Sequence, residues 1–461
     1  MSEAFNPSFC TVEEATLTSV DERKVDITAL IYGVGTYSAL TSSALMGTIQ
    51  VYDSVGTLHN HPLRGEERLD LTLKGHDFQT EVIITGQIVR IDNVKTNTAG
   101  DGYFYDLHFV TLSSYEAGIQ SVIAPYQNMT GSAAAKSVFK KYFNKGKSLT
   151  PFADAREALP IESQRYKMQG SKERRFYLEN SKNKLHCIIP DFSPAEAMNF
   201  LASKSLATSA SPSNMFRFFE TYNGYYWCTD EWLLKMAKEN KKKIKDLYYM
   251  PFSEKDPRKA ELISQTLQSF ENTNHVNTEA DIDSGGYTNT VLEIDLITHH
   301  AQYHNFNYEE QKRKFTQMGG APLTSNTGAV HSEKFIKKTF TPGNGNQSVV
   351  FRDWQADGTE TKPEQKIREP QNMVEIIQNR KAYNHHLNNS QVQISIQGRL
   401  DLQPGEVVNV IVQEPNVELS AENNERLSGL YLISSVSHSI QENQLNTSAE
   451  ITKYDWNRGD L

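Results

Sequence analysis

The sequence predicts a multidomain, mainly β protein with α+β parts. Residues 25–112 alternate apolar and polar side chains with a period of two, the mark of strands with one buried face. From about residue 126 the apolar spacing becomes helical, and period-two patterning returns near residue 288 and again after 390. At 461 residues the chain has room for several domains, roughly three or four of about 100–150 residues each.

The first domain is expected over residues 1–125, beginning with a polar leader. Val25, Ile27, Ala29 and Ile31 share a face, and in "LMGTIQVYDSVG" Ile49 and Val51 alternate with Gln50 and Tyr52 before Asp53-Ser54 and Gly56 break the chain. Leu69, Leu71 and Leu73 share a face in "ERLDLTLKG". Two longer strands, "TEVIITGQIVRID" and "GYFYDLHFVTL", flank the turn "NVKTNTAGDG". A compact antiparallel barrel or sandwich fits these strands.

Residues 126–250 read as an α/β domain. "SAAAKSVFKKYF" puts Ala134, Val138, Phe139 and Tyr142 on one side of a helix. In "IPDFSPAEAMNFLASKSL", Ser193 is an N-cap, Pro194 takes the first helical position and Glu196 completes a capping box. Aromatic strand or turn material follows, with Tyr225, Tyr226, Trp227 and Trp232 read as core residues. The basic run Lys238–Tyr249 reads as a solvated helix face.

A second β domain is expected in two parts, residues 251–315 and 389–461, the latter ending in a C-terminal tail. Between them, residues 316–388 read as an inserted small domain, rich in Gly, Asn, Thr and Pro and ending in the helix "PQNMVEIIQNRKAYNHHL". The last stretch repeats the order of the first: "PGEVVNVIVQ" stands where "EERLDLTLK" does, followed by "SGLYLISSVSHSI" and "LNTSAEITKYD". The match predicts that Leu69, Leu71 and Leu73 correspond to Val407 with Val410 or Val412, with a bulge or register shift near Val407-Val408 left open. Strand order alone fits both a duplication and two unrelated meanders.

Composition narrows the function classes. A 38% hydrophobic fraction and a mean hydropathy of -0.56 describe ordinary cores with much polar loop. No apolar run approaches the ~18 residues of a membrane span, and "MSEAFNPSFCTVEEA" lacks the basic start and apolar core of a secretory signal. Synthesis in a cytoplasm is therefore expected. The four Asn-x-Ser/Thr sites have no meaning without a secretory route. Cys10, Cys187 and Cys228 are isolated and read as free thiols. The net charge of -9 opposes stable binding to a phosphate backbone.

Candidate chemistry is considered and set aside. His300 and His304 have the spacing of a helical zinc pair, but Ala301 stands where a zincin needs Glu and the pattern reads as a strand end. His59 and His61 in "LHNHP" read as loop histidines. "DIDSGG" begins like a calcium loop, yet Gly285 and Leu292 occupy ligand positions, so it reads as a turn before a strand. "GVGTYSALTSS" has no lysine at P-loop spacing, and no G-x-S-x-G elbow occurs. No catalytic, cofactor-binding or metal-binding residue is assigned.

The opening strand with its "YDS" turn at Tyr52-Asp53-Ser54, the "PD" pair Pro190-Asp191 before a central helix, and the "PG" turn Pro404-Gly405 before the closing strands follow one order along the chain. In that order the sequence resembles the baseplate hub proteins of contractile-tailed bacteriophages, particularly the T-even type. The resemblance implies two tube-like antiparallel β-barrels per chain and a homotrimer with pseudo-sixfold symmetry. Such a ring joins a hexameric tail tube, or its initiator proteins, to a trimeric central spike, touches surrounding baseplate proteins and lets DNA pass without stable binding. It implies a virion location in the tail baseplate, no enzyme activity, no cofactor and no membrane insertion. Nothing after Tyr454 is left to encode a needle, so the spike is expected to be another polypeptide. The rival classes are a tail-associated cell-wall hydrolase and a receptor-binding tail protein. A T-even-type lysozyme needs Glu with Asp nine positions later, a spacing absent from this chain.

Overall fold

The computed structural model describes residues 8–57, 63–75, 81–96, 102–143, 166–167, 175–208, 213–239, 244–249, 265–274, 283–286, 288–296, 298–307, 346–351, 355–356, 367–368, 373–388, 391–413, 424 and 427–453. The chain starts with β1 (Cys10–Thr18), β2 (Lys24–Asp26), β3 (Ile31–Ala39), β4 (Met46–Asp53), β5 (Arg68–Gly75), β6 (Glu81–Thr96) and β7 (Tyr103–Thr111). Next come α1 (Leu112–Gly118), β8 (Val122–Thr130), α2 (Gly131–Val138), β9 (Tyr166–Lys167), β10 (Phe176–Leu178), β11 (Lys184–Phe192), α3 (Pro194–Ser203), β12 (Phe216–Thr221), β13 (Gly224–Thr229) and α4 (Asp230–Glu239). The remainder holds β14 (Lys245–Tyr249), β15 (Leu267–Asn274), β16 (Thr288–Asp295), β17 (His300–Asn307), β18 (Asn346–Phe351), β19 (Gln355–Ala356), β20 (Ile367–Arg368) and α5 (Met373–Asn388). It closes with β21 (Gln391–Gln397), β22 (Val407–Val412), β23 (Gly429–Gln441) and β24 (Gln444–Thr452).

The architecture is mainly β. In the first region the strands lie in the order β3-β4-β7-β6-β5-β1-β2, every pair antiparallel. Their alternate side chains meet in one core that includes Leu17, Val34, Ile49, Leu69, Leu71, Leu73, Ile84 and Leu107, so the sheet is curled round its own apolar face. Each fully buried leucine there contributes about 1.5–3 kcal/mol of transfer free energy. A second set lies in the order β15-β21-β24-β23-β22-β14 round a separate core of Leu247, Leu267, Ile394, Val410, Ile433 and Ile451. Strand for strand, this is the order β3-β4-β7-β6-β5-β1 of the first unit. The repeat is one of topology.

The units are joined edge to edge. β23 pairs with β22 through Gly429–Leu432 and then with β3 through Ser435–Gln441, which makes β15-β21-β24-β23-β3-β4-β7-β6 one continuous run of eight strands.

Several sequence expectations change. The polar leader contains β1, whose Cys10, Ala15 and Leu17 lie in the first core, and Val25–Ile31 is no single strand face, because a 3-10 turn at Thr28–Leu30 breaks it and leaves Ala29 exposed. Residues 288–307, expected in the second barrel, instead form β16 and β17, which pair with β18 in a separate three-stranded sheet against α5. The second unit takes β14 and β15 in their place. Alternation reports a buried face and is silent about the partner strand, so it could not separate these choices. The basic run is no single helix face: Lys238 lies in α4, while Lys245–Tyr249 is a strand in register with β22, whose pairing outweighs the charge pattern. In β22 the residues facing the core are Val408, Val410 and Val412, and Val407 points to the cluster around α4.

Between the units sits the α/β part. The α3 start has the full capping box, Glu196 N–H donating to Ser193 Oγ (3.3 Å) and Ser193 N–H to Glu196 Oε2 (2.9 Å). Ala134, Val138, Phe139 and Tyr142 are buried together, as are Tyr225 and Trp227. Tyr226 is buried and Trp232 partly buried in the cluster around α4.

Candidate functional site

The β12–β13 turn fixes the seam between the units from the core side. Gly224, at φ +137°, comes so close to the Arg175 carbonyl that a Cβ would lie 2.4 Å from its oxygen, so only glycine makes this turn. The turn carries Tyr222, whose hydroxyl lies 2.7 Å from Thr36 Oγ1 of β3 and whose ring stacks on His438 of β23. One residue pair earlier, Glu220 Oε2 accepts from Leu45 N–H (2.8 Å), Thr111 Oγ1 (2.6 Å) and Ser114 Oγ (2.9 Å). A buried carboxylate with several donors is stable there and locks the α/β part to the first unit.

Details repeat between units. Just before β5 and β22 stand left-handed glycines, Gly65 (φ +81°) and Gly405 (φ +86°), and then the buried Glu67 and Glu406. Ile88 N–H donates to Glu67 O and Ile433 N–H to Glu406 O, each at 2.9 Å. The carboxylates are served differently. Glu67 accepts from the backbone N–H groups of Arg64 (2.7 Å), Gly65 (2.9 Å) and Glu66 (3.1 Å). Glu406 accepts from Lys245 Nζ at 2.8 Å, and Lys245 also meets Asp401 at 2.9 Å. Burial pushes Glu406 up to about 7 despite Lys245. Burial would raise Asp401 too, but Arg399 and Lys245 hold it below the ordinary carboxylate range. Burial lowers His438 to about 4, and its ring sits between Thr447 Oγ1 (3.0 Å) and Leu402 O (3.2 Å).

The face of the eight-stranded run turned away from the cores is mainly polar, with Tyr37, Met46, Val89 and Phe104 exposed toward its β3–β4–β7–β6 end. Register places Ser269, Ser395, Ser448, Ser437 and Tyr37 in one row across five strands. The next row holds Gln397, Asn446, Ser439, Gly35, Thr48, His108 and Arg90. His108 Nδ1 lies 2.9 Å from Thr48 Oγ1 and its Nε2 2.9 Å from Asp92, which also pairs with Arg90 (2.9 Å). Thr48, His108 and Arg90 line an open groove of about 580 Å³ together with Tyr37, Met46, Val89 and Val110. The face offers neutral hydrogen-bonding groups with charges of both signs at its edges. Sequence reasoning followed the apolar positions of these strands and passed over the polar ones between them. The alternate serines of "SSVSHSI" and glutamines of "QVQISIQ" were the available signal.

The residues considered for chemistry are dispersed. His304 pairs with Glu293 at 2.9 Å and His300 lies opposite Asp295, both on a β-ladder. Asp283–Gly285 turn into β16, with Gly285 left-handed. His59 and His61 lie outside the described residues. Asp53 caps its turn by accepting from Thr57 N–H (2.9 Å), and Asp191 adopts φ +46° before α3. Among the described residues no three His, Cys, Asp or Glu side chains gather in metal-binding geometry, and no helix is long and apolar enough to cross a membrane.

No protein-family model matches the chain, and no curated protein matches it. Among solved structures, the 43 kDa tail protein of prophage MuSo2 from Shewanella oneidensis aligns with a TM-score of 0.50 at 9% identity, covering 96% of this chain and 98% of that one. The fold is that of a phage tail protein. The tail protein from Neisseria meningitidis MC58 aligns at 0.49 and 10% identity over 96% of both chains. A chain of the Francisella PdpA-VgrG complex aligns at 0.44 and 8% identity over 98% of this chain and 60% of its own. The MuSo2 alignment takes in nearly all of both chains, so the likeness in fold extends over the two units together with the α/β part.

Proposed function

We propose that this protein is a structural component of a phage tail, the baseplate hub. Three copies form a ring that joins the hexameric tail tube to a trimeric central spike, with surrounding baseplate proteins outside it. The observation that carries this reading is the pair of units with one strand order, joined into a continuous sheet. A trimer presents three copies of any surface and a hexameric tube offers six, so two like units per chain supply six near-equivalent docking surfaces. The polar face of that sheet suits the wall of a passage, because it gives sliding DNA few cations to bind. The chain's net charge of -9 agrees with passage without retention.

No catalytic role is assigned. The buried carboxylates Glu67, Glu220 and Glu406 are engaged as anchors of the fold. Light scattering of the protein mixed with its spike should give a hub component of three times the 52.2 kDa chain. A single copy or six copies per complex would overturn the hub reading. Antibody label should sit at the baseplate end of isolated tails, and label along the sheath or at fibre tips would count against it. DNA retardation stronger than about micromolar at physiological salt would contradict free passage.

A further inference from the structure

The internal repeat lets one surface of the first unit be read from the second. β23 has two partners on one edge, β22 as far as Leu432 and β3 from Ser435 onward. Its counterpart β6 changes at the same step. The last inner pair is Arg68↔Gln87 in one unit and Val407↔Leu432 in the other. The next residue donates to the main chain of the preceding glutamate in both, and one residue later each ladder has a bulge, at Val89 and at Ser434. Beyond it, Arg90–Thr96 has β7 on one edge and no described strand on the other, where β23 has β3.

The counterpart of β3 is β15. Both have a bulge at the same place, Tyr32 between Ile31↔Val51 and Gly33↔Gln50, and Gln268 between Leu267↔Ile396 and Ser269↔Ser395. β3 lies between β4 and β23. β15 has β21 on one edge and, apart from the bridge Tyr248↔Thr266 just before it, no described strand on the other.

We propose that β15 of one copy pairs antiparallel with Arg90–Thr96 of β6 in a second copy, repeating between chains the β3–β23 seam found within one. This rests on the trimeric reading and gives it an interface. The seam also sets the register, with one extra residue on each side: β6 has a second bulge between Asp92 and Lys95 and β15 one between Asn272 and Asn274, which β23 and β3 lack and which fall opposite each other in this pairing. Ser439 lies opposite Gly35; Ser439 corresponds to Lys95, since their β24 and β7 partners Asn446 and Phe104 are equivalent. Gly35 corresponds to Glu271, since their partners Thr48 and Gln393 are equivalent. Lys95 of one copy therefore meets Glu271 of the next. Both side chains are exposed, and neither has an ion pair among the described residues. Opposite charges directly across a ladder favour this register and like charges would oppose it. The pairing also covers two open edges, which otherwise invite uncontrolled association.

The test uses full-length chains with Cys187→Ser, since Cys10 and Cys228 are buried. Cα atoms across an antiparallel pair are about 4.5–5.5 Å apart, within reach of a disulfide. Oxidising a mixture of Lys95→Cys chains and Glu271→Cys chains should give a linked dimer that neither variant gives alone. Chains carrying both cysteines should give a ladder that closes at three. Lys95→Glu should reduce the trimer fraction severalfold, and Lys95→Glu with Glu271→Lys should restore it. Trimers that form without the Lys95–Glu271 link would overturn the pairing and leave the trimeric reading intact. A ladder that closes at another number would uphold the pairing and overturn the trimer. Monomer with no cross-link at the highest concentration reached also overturns the pairing, because proximate cysteines trap even brief encounters. Rescue failing in the charge-swapped double variant would mean that Lys95 only guards an open edge.

Discussion

The two six-stranded units share an order of strands and differ in how the outermost strand is supplied. In the first, β1 comes from the neighbouring chain start and runs antiparallel to β5. In the second, β14 arrives from the far side of the α/β part and runs parallel to β22. The equivalent glutamates follow suit: Glu67 is held by the backbone of its own turn, and Glu406 by Lys245 of the incoming strand. One topology is thus secured locally in one unit and by a long-range buried ion cluster in the other. A backbone ladder accepts an edge strand in either direction, so the difference falls on the side chains that fasten it.

If that contrast is right, the largest loss comes from Lys245→Met. Removing the cation leaves Glu406 and Asp401 with one partner fewer, a loss of about 3–5 kcal/mol for a buried pair broken on one side. Urea midpoints should fall further at pH 8 than at pH 5, where Glu406 can take a proton.

The same cluster predicts a pH signature. His438 is lowered from 6.5 to about 4 in the fold, so the unfolded chain binds the proton first. Stability falls as pH drops from about 6.5 to about 4, by about 3 kcal/mol in all. Glu406 is raised from 4.5 to about 7 and acts oppositely, its contribution being full below about 4.5 and lost as pH rises to about 7. In His438→Gln the opposing histidine trend is gone, and stability should rise on acidification from pH 7 to pH 5 through Glu406 together with Glu231, whose burial likewise pushes it up, to about 8. An unchanged pH profile of the urea midpoint would remove both residues from the account.

Glu67→Ala strips three backbone N–H groups of an acceptor and should cost about 2 kcal/mol, a loss that thermal unfolding measures. The smallest expected effect is at the glycines. Left-handed backbone makes Gly65→Ala cost about 1 kcal/mol, while Gly405→Ala should cost more because its Cβ would stand 3.2 Å from the Phe219 ring. Equal losses would mean that packing round the second turn relaxes freely.

Several features were legible before any coordinates. Ser193-Pro194 and Glu196 announced a helix start because their chemistry acts within four residues, and the structure has the complete capping box. Leu69, Leu71 and Leu73 announced an inward face, and all three are fully buried. The likeness of "EERLDLTLK" and "PGEVVNVIVQ" was visible as order, but its alignment was open, and packing chose Val408, Val410 and Val412. The polar face was present in the sequence as the unremarked half of each alternation.

Local physics therefore determined from the sequence many of the strands, the start of the helix at Pro194 and which side of those strands is apolar, while β1 in the leader and β14 in the basic run escaped it. Edge partners were decided by the tertiary structure: β14 beside β22, β3 beside β23, and β16 with β17 outside both units. The reason is that every residue brings the same N–H and C=O to a ladder, so alternation encodes a face and leaves the edge unspecified. Only the packed molecule, with Tyr222 under one seam and Lys245 beside another, selects among partners that the backbone alone would accept equally.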